Sequence, residues 1–377
     1  MKLALNATPL LSPLTGIGQY TYQIAAGLQQ AQGVDLEMFY GNGWSKELRD
    51  KPIPGIASLK SVVRKFLPRS YDFARFMQQR KFTQGVMQGT DVIYHEPNFL
   101  AYRHKGPTVI TVHDLSWIRY PAAHFKERVD AMERYFEPGL RRASIVLTDS
   151  EFVKREVVEV FGIDAQKIRT IPLGFDHWYR PMQEDQTRKV LEPMGLQHGR
   201  YLLAVGTLEP RKNLQLALKA YALLPQSVQA QYPLVIAGMK GWHTDALDKG
   251  MASLVASGHI RLTGYLPRAD LAALTAAASV LLYPSIYEGF GLPPLEAMAC
   301  GVPVIVSNVA SLPEVVGGAG VLIDPNDADG LSHAVRQLLE DPKHRQRLSD
   351  LSIERARLFS WGACVQQTIA AYKQVLS

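Results

Sequence analysis

The sequence predicts an α/β protein made of two doubly wound domains, each a mainly parallel sheet covered by helices on both faces. Short apolar runs alternate with helical stretches along the whole chain, as expected for parallel strands that are buried on both sides. The length of 377 residues, with 47% hydrophobic and 20% charged residues, suits a globular protein with more than one core.

Six apolar runs in the first half are typical of buried strands: KLALNAT, VDLEMFY, DVIYHEP, TVITVHD, SIVLTDS and KIRTIPLG. Helices are expected between them, including 18–31 and 151–161. Asp149 and Ser150 are candidate N-caps for the second of these helices, with a structural role. Val153 stands where a capping box would need a glutamate, so that motif is absent.

The second half repeats this alternation of apolar runs and helices, with the runs YLLAVGT, PLVIAG, HIRLTGY, SVLLYPS, VPVIVS and GVLIDP. Helices are expected at 213–224, 269–278 and 294–299. Both halves therefore predict a Rossmann-like domain whose ligand crevice lies at the carboxyl ends of its strands.

A polar connection separates the two halves. The stretch 174–200, GFDHWYRPMQEDQTRKVLEPMGLQHGR, contains two prolines and no strand pattern, which places the hinge near 178–181. We expect domains at 1–178 and 179–377 that face each other across a cleft. The last helix, at about 358–376, is a candidate to pack back on the first domain.

Composition narrows the function classes. The net charge of +6 permits an anionic ligand or membrane surface, while no helix-turn-helix, zinc-finger or aromatic RNA-binding signature supports nucleic acid. The two cysteines, Cys300 and Cys364, are too few for a disulfide framework or a metal cluster and fit a reducing cytosol. The N-terminus is typical of a first buried strand, and no apolar run approaches 18 residues. We expect a cytoplasmic protein.

The sequence TGIGQYTYQIAAGL places Gly16 and Gly18 between the first strand and a helix. Such a turn presents free backbone amides and the positive helix end, which suit a phosphate. The third glycine of the dinucleotide fingerprint is missing, and no acidic residue ends the next strand, which disfavours a two-domain oxidoreductase. A glycine that only makes the turn remains the alternative.

Arg211 and Lys212 lie in the loop that follows the strand YLLAVGT, within the sequence GTLEPRKN. A guanidinium fork and an ammonium group together suit a diphosphate and its growing charge as a leaving group. The alternative is a pair of solvated surface cations. The strand-end position, the rigid Pro210 and Asn213 as an N-cap favour a function.

Glu288 and Glu296 flank a glycine- and proline-rich turn in YPSIYEGFGLPPLEAMACGVPVIVS, with seven residues between them. The glycines let backbone amides approach a ligand closely. A carboxylate accepts hydrogen bonds from vicinal hydroxyls, so Glu296 suits a ribose and Glu288 a sugar ring. The alternatives are a favourable charge near a helix N-terminus for Glu296 and ordinary loop solvation for Glu288.

These motifs together resemble the retaining GT-B glycosyltransferases of family 4, over nearly the whole chain. The resemblance implies that Glu296 binds the nucleotide ribose, that Glu288 lies beside the donor sugar, and that Arg211 and Lys212 bind the diphosphate. It also implies donor contacts through backbone amides and loops, at Gly16, Gly18, Tyr265, Leu266, Phe290, Gly291 and Leu292.

The same resemblance places a histidine that contacts the donor sugar at His113, in ITVHDLSWIRYP. A lone histidine is more often structural, but this one ends a buried strand on the expected cleft. Asp114, Trp117 and Asn98 are candidate acceptor-side residues. His95 and Glu96 lie on the same rim.

The stretch 61–82, SVVRKFLPRSYDFARFMQQRKF, interleaves basic with large apolar residues. This pattern suits a helix on an anionic membrane, and equally an ordinary amphipathic helix on the domain face.

We therefore expect a retaining glycosyltransferase that moves a hexose from a GDP-sugar to a lipid-linked glycan in lipopolysaccharide O-antigen or related polysaccharide synthesis. The hexose would be mannose or a 6-deoxyhexose such as rhamnose. The nucleotide sugar is a co-substrate, and neither cofactor nor metal is expected because no D-x-D motif ends a strand. The alternatives are a UDP-sugar-dependent transferase, a nucleotide-sugar epimerase that needs no acceptor, and a silent subunit that binds nucleotide without transfer.

Overall fold

A computed structural model of the protein describes residues 1–12, 14, 16–49, 70–87, 89, 91–239 and 254–376. It divides the chain into two compact units, Met1–Leu173 with Trp361–Ser377, and Gly174–Ser360. The division thus falls a few residues before the expected boundary at 178. None of the helices in the described ranges combines the length and apolarity needed to cross a bilayer.

The described part of the first unit contains a seven-stranded sheet in the order β3-β2-β1-β4-β5-β6-β7. The strands are β1 (Lys2–Asn6), β2 (Asp35–Phe39), β3 (Trp44–Ser45), β4 (Ile93–Glu96), β5 (Thr108–Val112), β6 (Ile145–Thr148) and β7 (Ile168–Thr170). All neighbours pair in parallel except β2 and β3, which are antiparallel. Each predicted run contains one strand. The two-residue β3 was not predicted because it is too short to show a pattern.

Helices cover this sheet: α1 (Gly16–Gln30), α2 (Ser70–Gly85), α3 (Ser116–Arg119), α4 (Lys126–Arg142) and α5 (Glu151–Phe161). α5 has the predicted bounds and begins at Ser150, whose hydroxyl accepts a hydrogen bond from the Val153 amide at 3.2 Å. It ends at Gly162, which takes the left-handed conformation with φ 62°. The expectation that Asp149 is an N-cap was wrong, because its carboxylate pairs with His113.

The described part of the second unit contains a six-stranded parallel sheet in the order β10-β9-β8-β11-β12-β13. The strands are β8 (Leu202–Val205), β9 (Leu234–Ala237), β10 (Ile260–Gly264), β11 (Val280–Tyr283), β12 (Val304–Ser307) and β13 (Val321–Ile323). Each lies within one of the six predicted runs. The near-continuous apolar character of β8, β9, β11 and β12 matches strands that are covered on both faces.

The helices of this unit are α6 (Glu184–Leu191), α7 (Leu214–Ala222), α8 (Gln226–Gln231), α9 (Arg268–Ala276), α10 (Leu292–Ala299), α11 (Leu312–Val316), α12 (Ala328–Glu340) and α13 (Pro342–Ala356). Asn213 occupies the predicted N-cap position of α7, but its side chain does not form the capping hydrogen bond. Asn213 precedes the helix in a left-handed conformation with φ 52°, and its side chain donates to the Pro325 carbonyl at 2.7 Å instead.

The two cores differ in composition. The first contains several aromatic rings, including Phe82, which packs against Phe39, Tyr94 and Tyr102 with ring centroids 4.7–5.5 Å apart. The second is filled mainly by aliphatic side chains of the sheet, α7 and α12.

The final helix, α14 (Trp361–Gln374), belongs to the first unit and packs on α1. A Cβ at Gly27 of α1 would overlap the Val365 side chain, so the glycine allows the two helices to approach closely. Tyr372 then reaches the sheet, where its hydroxyl lies 2.6 Å from His95 Nδ1.

Candidate active site

Three charged residues of the predicted site, Arg211, Lys212 and Glu288, lie where the strand order of the second unit reverses. β8 and β11 are neighbours in the sheet, although they are the first and fourth strands of the unit along the chain. Loops that follow such a pair diverge in opposite directions and leave a crevice at their carboxyl ends. The loop after β8 carries Arg211 and Lys212, and the loop after β11 carries Glu288.

Backbone geometry fixes the loop after β8. Residues Pro210–Lys212 form a short 3-10 turn, in which the Lys212 amide donates to the Glu209 carbonyl at 3.1 Å. The amide of Ile286 donates to the Arg211 carbonyl at 3.0 Å, which ties this loop to the loop after β11. The loops after β8 and β9 also approach closely, since a Cβ at Gly238 would overlap the Gly206 carbonyl.

The side chains form a compact ion network. Arg211 lies between two carboxylates, with Nη2 2.7 Å from Glu209 Oε1 and Nη1 3.1 Å from Glu288 Oε2. The same Nη1 donates to the Tyr287 carbonyl at 2.7 Å. Lys212 Nζ donates to Glu288 Oε1 at 2.6 Å and to the Tyr283 hydroxyl at 2.8 Å. The four charged side chains are 8–14% exposed. The network is therefore buried but open at one edge.

The electrostatics follow from this geometry. Burial alone would raise the pKa of Glu288, but the charges of Lys212 and Arg211 lower it to about 2. The carboxylate is therefore ionised throughout the neutral range. Solvation of Glu288 as an ordinary loop residue, the alternative left open above, was wrong.

Sequence reasoning assigned no role to Glu209 or Tyr283. The Tyr283 hydroxyl donates to Glu288 Oε1 at 2.9 Å, and its ring lies beneath the Lys212 ammonium, 5.2 Å from the centroid. Its position as the last residue of a buried strand was the available signal. For Glu209 the signal was its place in the loop EPRKN, two residues from Arg211.

The turn between the two glutamates presents its backbone at the same edge. Gly291 has φ 116°, and a Cβ there would lie 2.8 Å from the Leu312 side chain. The Ser311 hydroxyl lies 2.9 and 2.8 Å from the carbonyls of Glu288 and Phe290. The Phe290 ring packs edge-on against Phe359. α10 begins at Leu292, two residues before its predicted start. Pro293 and Pro294 have no amide hydrogen, and the Leu295 amide donates to the Gly291 carbonyl at 3.3 Å, so Leu292 supplies the amide that this first turn can offer to a ligand.

Glu296 lies in the second turn of α10 and is partly buried. Burial and, to a smaller extent, the nearby Asp176 carboxylate raise the pKa of Glu296 to about 7. A hydrogen bond from Tyr179 lowers this pKa but does not offset the effect of burial. Asp176 in turn pairs with Arg268 at 3.4 Å. The first residues of the second unit thus line the environment of Glu296, which the sequence did not indicate.

The other residues predicted to contact the donor, at 265–266 and at 16 and 18, lie in loops and turns distant in sequence from the ion network. Tyr265 follows β10 and is 56% exposed, and Leu266 is half-buried. In the first unit α1 begins at Gly16 rather than Gly18, so both glycines lie in its first turn after β1. Among the described residues, none lies within 4 Å of a Cβ built at Gly16, whereas a Cβ at Gly18 would lie 3.1 Å from the Leu14 side chain.

His113 ends β5 and is almost fully buried, at 8% exposure. Its Nδ1 lies 2.7 Å from Asp149 Oδ2, and its Nε2 lies 2.9 Å from the Pro97 carbonyl. Burial would lower the pKa of His113, but the Asp149 carboxylate and the carbonyl raise it above its ordinary value. Both ring nitrogens are occupied by partners in the first unit, which fixes the orientation of the imidazole at this strand end.

The candidate acceptor-side residues have local roles. Asp114 accepts hydrogen bonds from the Ser116 amide at 2.9 Å and hydroxyl at 2.7 Å, which fixes the start of α3. Trp117 lies in the aromatic core and packs against Phe136. This placement favours a packing role for the indole. Asn98 is half-buried at the end of β4.

A second polar cluster lies where the order of the first sheet reverses, between β1 and β4. Glu96 accepts from Asn6 at 2.7 Å, from the Tyr94 hydroxyl at 2.6 Å and from the Asn98 amide at 2.9 Å. Burial raises the pKa of Glu96 to about 7 despite these bonds. Burial, together with the charge of His113, lowers the pKa of His95 to about 3. Both side chains are 1% exposed, so they stabilise the end of β4 from inside the unit.

Together, these groups can hold an anion at the Arg211–Lys212 edge and a pair of hydroxyls at Glu296. Among the described residues, no group of three or more His, Cys, Asp or Glu side chains has the spacing of a metal site.

Comparison with known proteins shows the same division of the chain. Residues 14–178 match the family described as Glycosyltransferase Family 4, and residues 192–355 match Glycosyl transferases group 1. The chain is 38% identical to the O-antigen chain mannosyltransferase B of Escherichia coli, over 99% of this chain and 100% of that protein.

Solved structures share the fold at low identity. WaaG, a glycosyltransferase involved in lipopolysaccharide biosynthesis, superposes with a TM-score of 0.72 at 15% identity, over 98% of each chain. HepE of Anabaena, solved in complex with UDP and glucose, superposes with a TM-score of 0.67 at 19% identity, over 99% of each chain.

The two glutamates should have opposite effects on the pH dependence of stability. The folded pKa of Glu288 lies below its ordinary value of 4.5, at about 2, so its ionised form stabilises the fold above pH 4.5. We expect Glu288→Gln to lower the free energy of unfolding by roughly 3 kcal/mol near neutral pH. The deficit should shrink as the pH falls from 4.5 towards 2, measured by urea unfolding.

Glu296→Gln provides the matched comparison. The folded pKa of Glu296 is raised to about 7, so its ionisation opposes folding as the pH rises from 4.5 through 7. Relative to wild type, Glu296→Gln should therefore gain stability over this range. If the free energies of unfolding of the two variants changed with pH in the same way, the environments assigned to Glu288 and Glu296 would be contradicted.

Proposed function

Because the chain belongs to glycosyltransferase family 4 and has the GT-B fold, we propose that it transfers mannose from GDP-mannose to a lipid-linked glycan, with retention of configuration, in O-antigen synthesis. The proposal rests on one observation. Arg211, Lys212 and Glu288 lie together where the strand order reverses, and Glu296 lies on the helix that follows. The 38% identity to an O-antigen mannosyltransferase over the full chain supports the sugar and the process.

In the proposed reaction, the bond between C1 of the sugar and the diphosphate oxygen breaks. A new bond forms between C1 and the acceptor oxygen on the same face of the ring. The acceptor proton passes to the leaving diphosphate, which departs as GDP. Arg211 and Lys212 stabilise the charge that accumulates on that diphosphate. Glu288 contributes a fixed negative charge beside the sugar.

Glu296 binds the ribose hydroxyls in this proposal. A carboxylate with a pKa of about 7 is only partly ionised at neutral pH, and hydroxyl donors from a ribose would favour its charged form. Nucleotide binding is accordingly linked to proton release at this residue. The amides of Gly16, Gly18 and the turn 290–292 supply the uncharged donors.

The base and the sugar are the least constrained parts of the donor. The contacts at Tyr265 and Leu266 follow a strand end and involve mainly backbone, which separates guanine from uracil poorly. A GDP-6-deoxyhexose such as GDP-rhamnose, or a UDP-sugar, is therefore the second candidate donor. We propose that no metal is required, since side-chain cations and helix ends bear the phosphate charge.

We further propose a cytoplasmic protein that touches the inner face of the membrane through α2. Phe73, Phe76 and Met77 lie on one face of this helix and are 68%, 56% and 38% exposed. Arg80 continues that face, three to four residues further on. An exposed apolar stripe beside cations suits an anionic lipid surface.

The opposite face of α2 packs on the first unit. Arg75 donates to the carbonyls of Leu100 and Ala101 at 2.9–3.3 Å, so this cation, which counted towards the basic pattern, faces inwards. Residues 61–69 of the predicted membrane stretch lie outside the described residues.

The donor proposal is tested by calorimetric titration of the protein with GDP, UDP, GDP-mannose and UDP-N-acetylglucosamine, with and without a chelator. We expect GDP and GDP-mannose to bind more tightly than the uridine nucleotides, unchanged by chelation. Preferential uridine binding would overturn the donor, and loss of binding on chelation would overturn metal independence. Mannose transfer to a lipid-linked glycan acceptor then separates a transferase from an epimerase or a silent subunit.

The mechanism is tested at Lys212. Lys212→Ala should reduce kcat/KM through a loss of roughly 2–4 kcal/mol of transition-state stabilisation, comparable to the loss of an oxyanion donor. Lys219→Ala, which removes an exposed lysine from the following helix, is the matched control. Near-normal turnover by a folded Lys212→Ala protein would remove Lys212 from the mechanism.

Membrane contact is tested by flotation with vesicles of phosphatidylcholine, with or without phosphatidylglycerol. Wild type should bind the anionic vesicles, and the Phe73→Ser/Phe76→Ser protein should bind them roughly tenfold or more weakly, because less apolar area enters the interface. Leu223→Ser changes an exposed apolar residue elsewhere and is the control. Equal flotation of all three proteins would exclude α2 as the contact.

A further inference from the structure

The ion network of the second unit holds as many carboxylates as cations among the described residues. Arg211 and Lys212 face Glu209 and Glu288 at 2.6–3.1 Å. With all four groups ionised, the network is formally neutral. This differs from a simple cationic phosphate site, where the protein would present a net positive charge before the ligand arrives.

The two carboxylates are not equivalent. Glu288 joins both cations and the Tyr283 hydroxyl, and therefore holds the network together. Glu209 contacts Arg211 through a single oxygen at 2.7 Å, and this contact contributes no cross-link between separate loops. It comes from the same loop as Arg211, so it ties no distant segment into the site.

Other acceptors besides Glu209 orient the guanidinium. The Tyr287 carbonyl at 2.7 Å and Glu288 at 3.1 Å already accept from Nη1 of Arg211. What Glu209 adds is a negative charge, 8% exposed and therefore weakly screened by water. That charge acts on any anion that approaches Arg211.

We propose that Glu209 is an internal counter-ion that weakens the hold of Arg211 on the diphosphate and so favours release of the nucleoside diphosphate product. The inference rests on the proposed function of this site. Glu209 is thus a residue that tunes affinity for the phosphates, without contact with the base or the sugar. Removing its charge while keeping an acceptor oxygen should strengthen diphosphate binding.

The test is calorimetric titration of wild type and Glu209→Gln with GDP, with UDP in parallel, and with guanosine. We expect Glu209→Gln to bind the diphosphates roughly three- to tenfold more tightly and with a steeper salt dependence, because the site gains a net positive charge. Affinity for guanosine should be the same in both proteins, since it has no phosphate. GDP should also inhibit transfer by Glu209→Gln more strongly than transfer by wild type.

Three comparisons make the test specific. Glu192→Gln removes an exposed carboxylate elsewhere in the second unit and controls for overall charge. Glu209→Asp keeps the charge and should bind GDP more weakly than Glu209→Gln. Glu209→Ala makes the same charge change and replaces Glu209→Gln if that variant does not fold, as judged by circular dichroism.

Two results would overturn the inference while the proposed function stands. Weaker diphosphate binding by Glu209→Gln would show that Glu209 positions Arg211. An equal change for guanosine and GDP would show a general structural role. If wild type binds no nucleoside diphosphate, the proposed function fails first, and the inference falls with it.

Discussion

The site of the second unit depends on the carboxylate of Glu288. One of its oxygens meets Lys212 and Tyr283, the other meets Arg211, and the backbone carbonyl of the same residue lies next to Ser311. A buried charge that lacks partners is strongly destabilising, so the cations and the carboxylate hold one another in place. Because they come from loops after adjacent strands, the same contacts close the loops together. The cations are therefore fixed before any ligand binds, which is the preorganisation that charge stabilisation requires.

The first unit also has a buried glutamate near the point where its strand order reverses, but the hydrogen-bond partners of that glutamate are of a different kind. At its own strand-order reversal, Glu96 accepts only from neutral donors, namely Asn6, Tyr94 and a backbone amide. Hydroxyl and amide donors offset burial less than full charges do, so the pKa of Glu96 rises to about 7 while that of Glu288 falls to about 2. Two buried glutamates near the strand-order reversals of the two sheets thus have pKa values on opposite sides of the ordinary value, because their partners differ in charge.

The sequence was sufficient for most of the fold, because parallel strands buried on both faces leave continuous apolar runs that mark each strand. It was also sufficient to bring Arg211, Lys212 and Glu288 to one sheet edge. It did not reveal the counter-ions. Asp149 was expected to cap a helix and instead pairs with His113, and Glu209 had no assigned role. Such pairings depend on side-chain directions in loops, where no periodicity exists to be read. The same reason explains why the side chain of Asn213, at the predicted N-cap position, bonds to the Pro325 carbonyl instead of to the helix.

The neutral network also bears on catalysis. Interactions accelerate a reaction only if they are stronger in the transition state than in the ground state. A site with two unopposed cations would bind the diphosphate tightly before, during and after transfer, and release of product would then limit turnover. With both cations already paired, the network gains most when extra negative charge develops on the leaving group, because the cations then shift their hydrogen bonds from carboxylate to phosphate. In the proposed reaction, balanced charge would therefore favour the transition state over bound product.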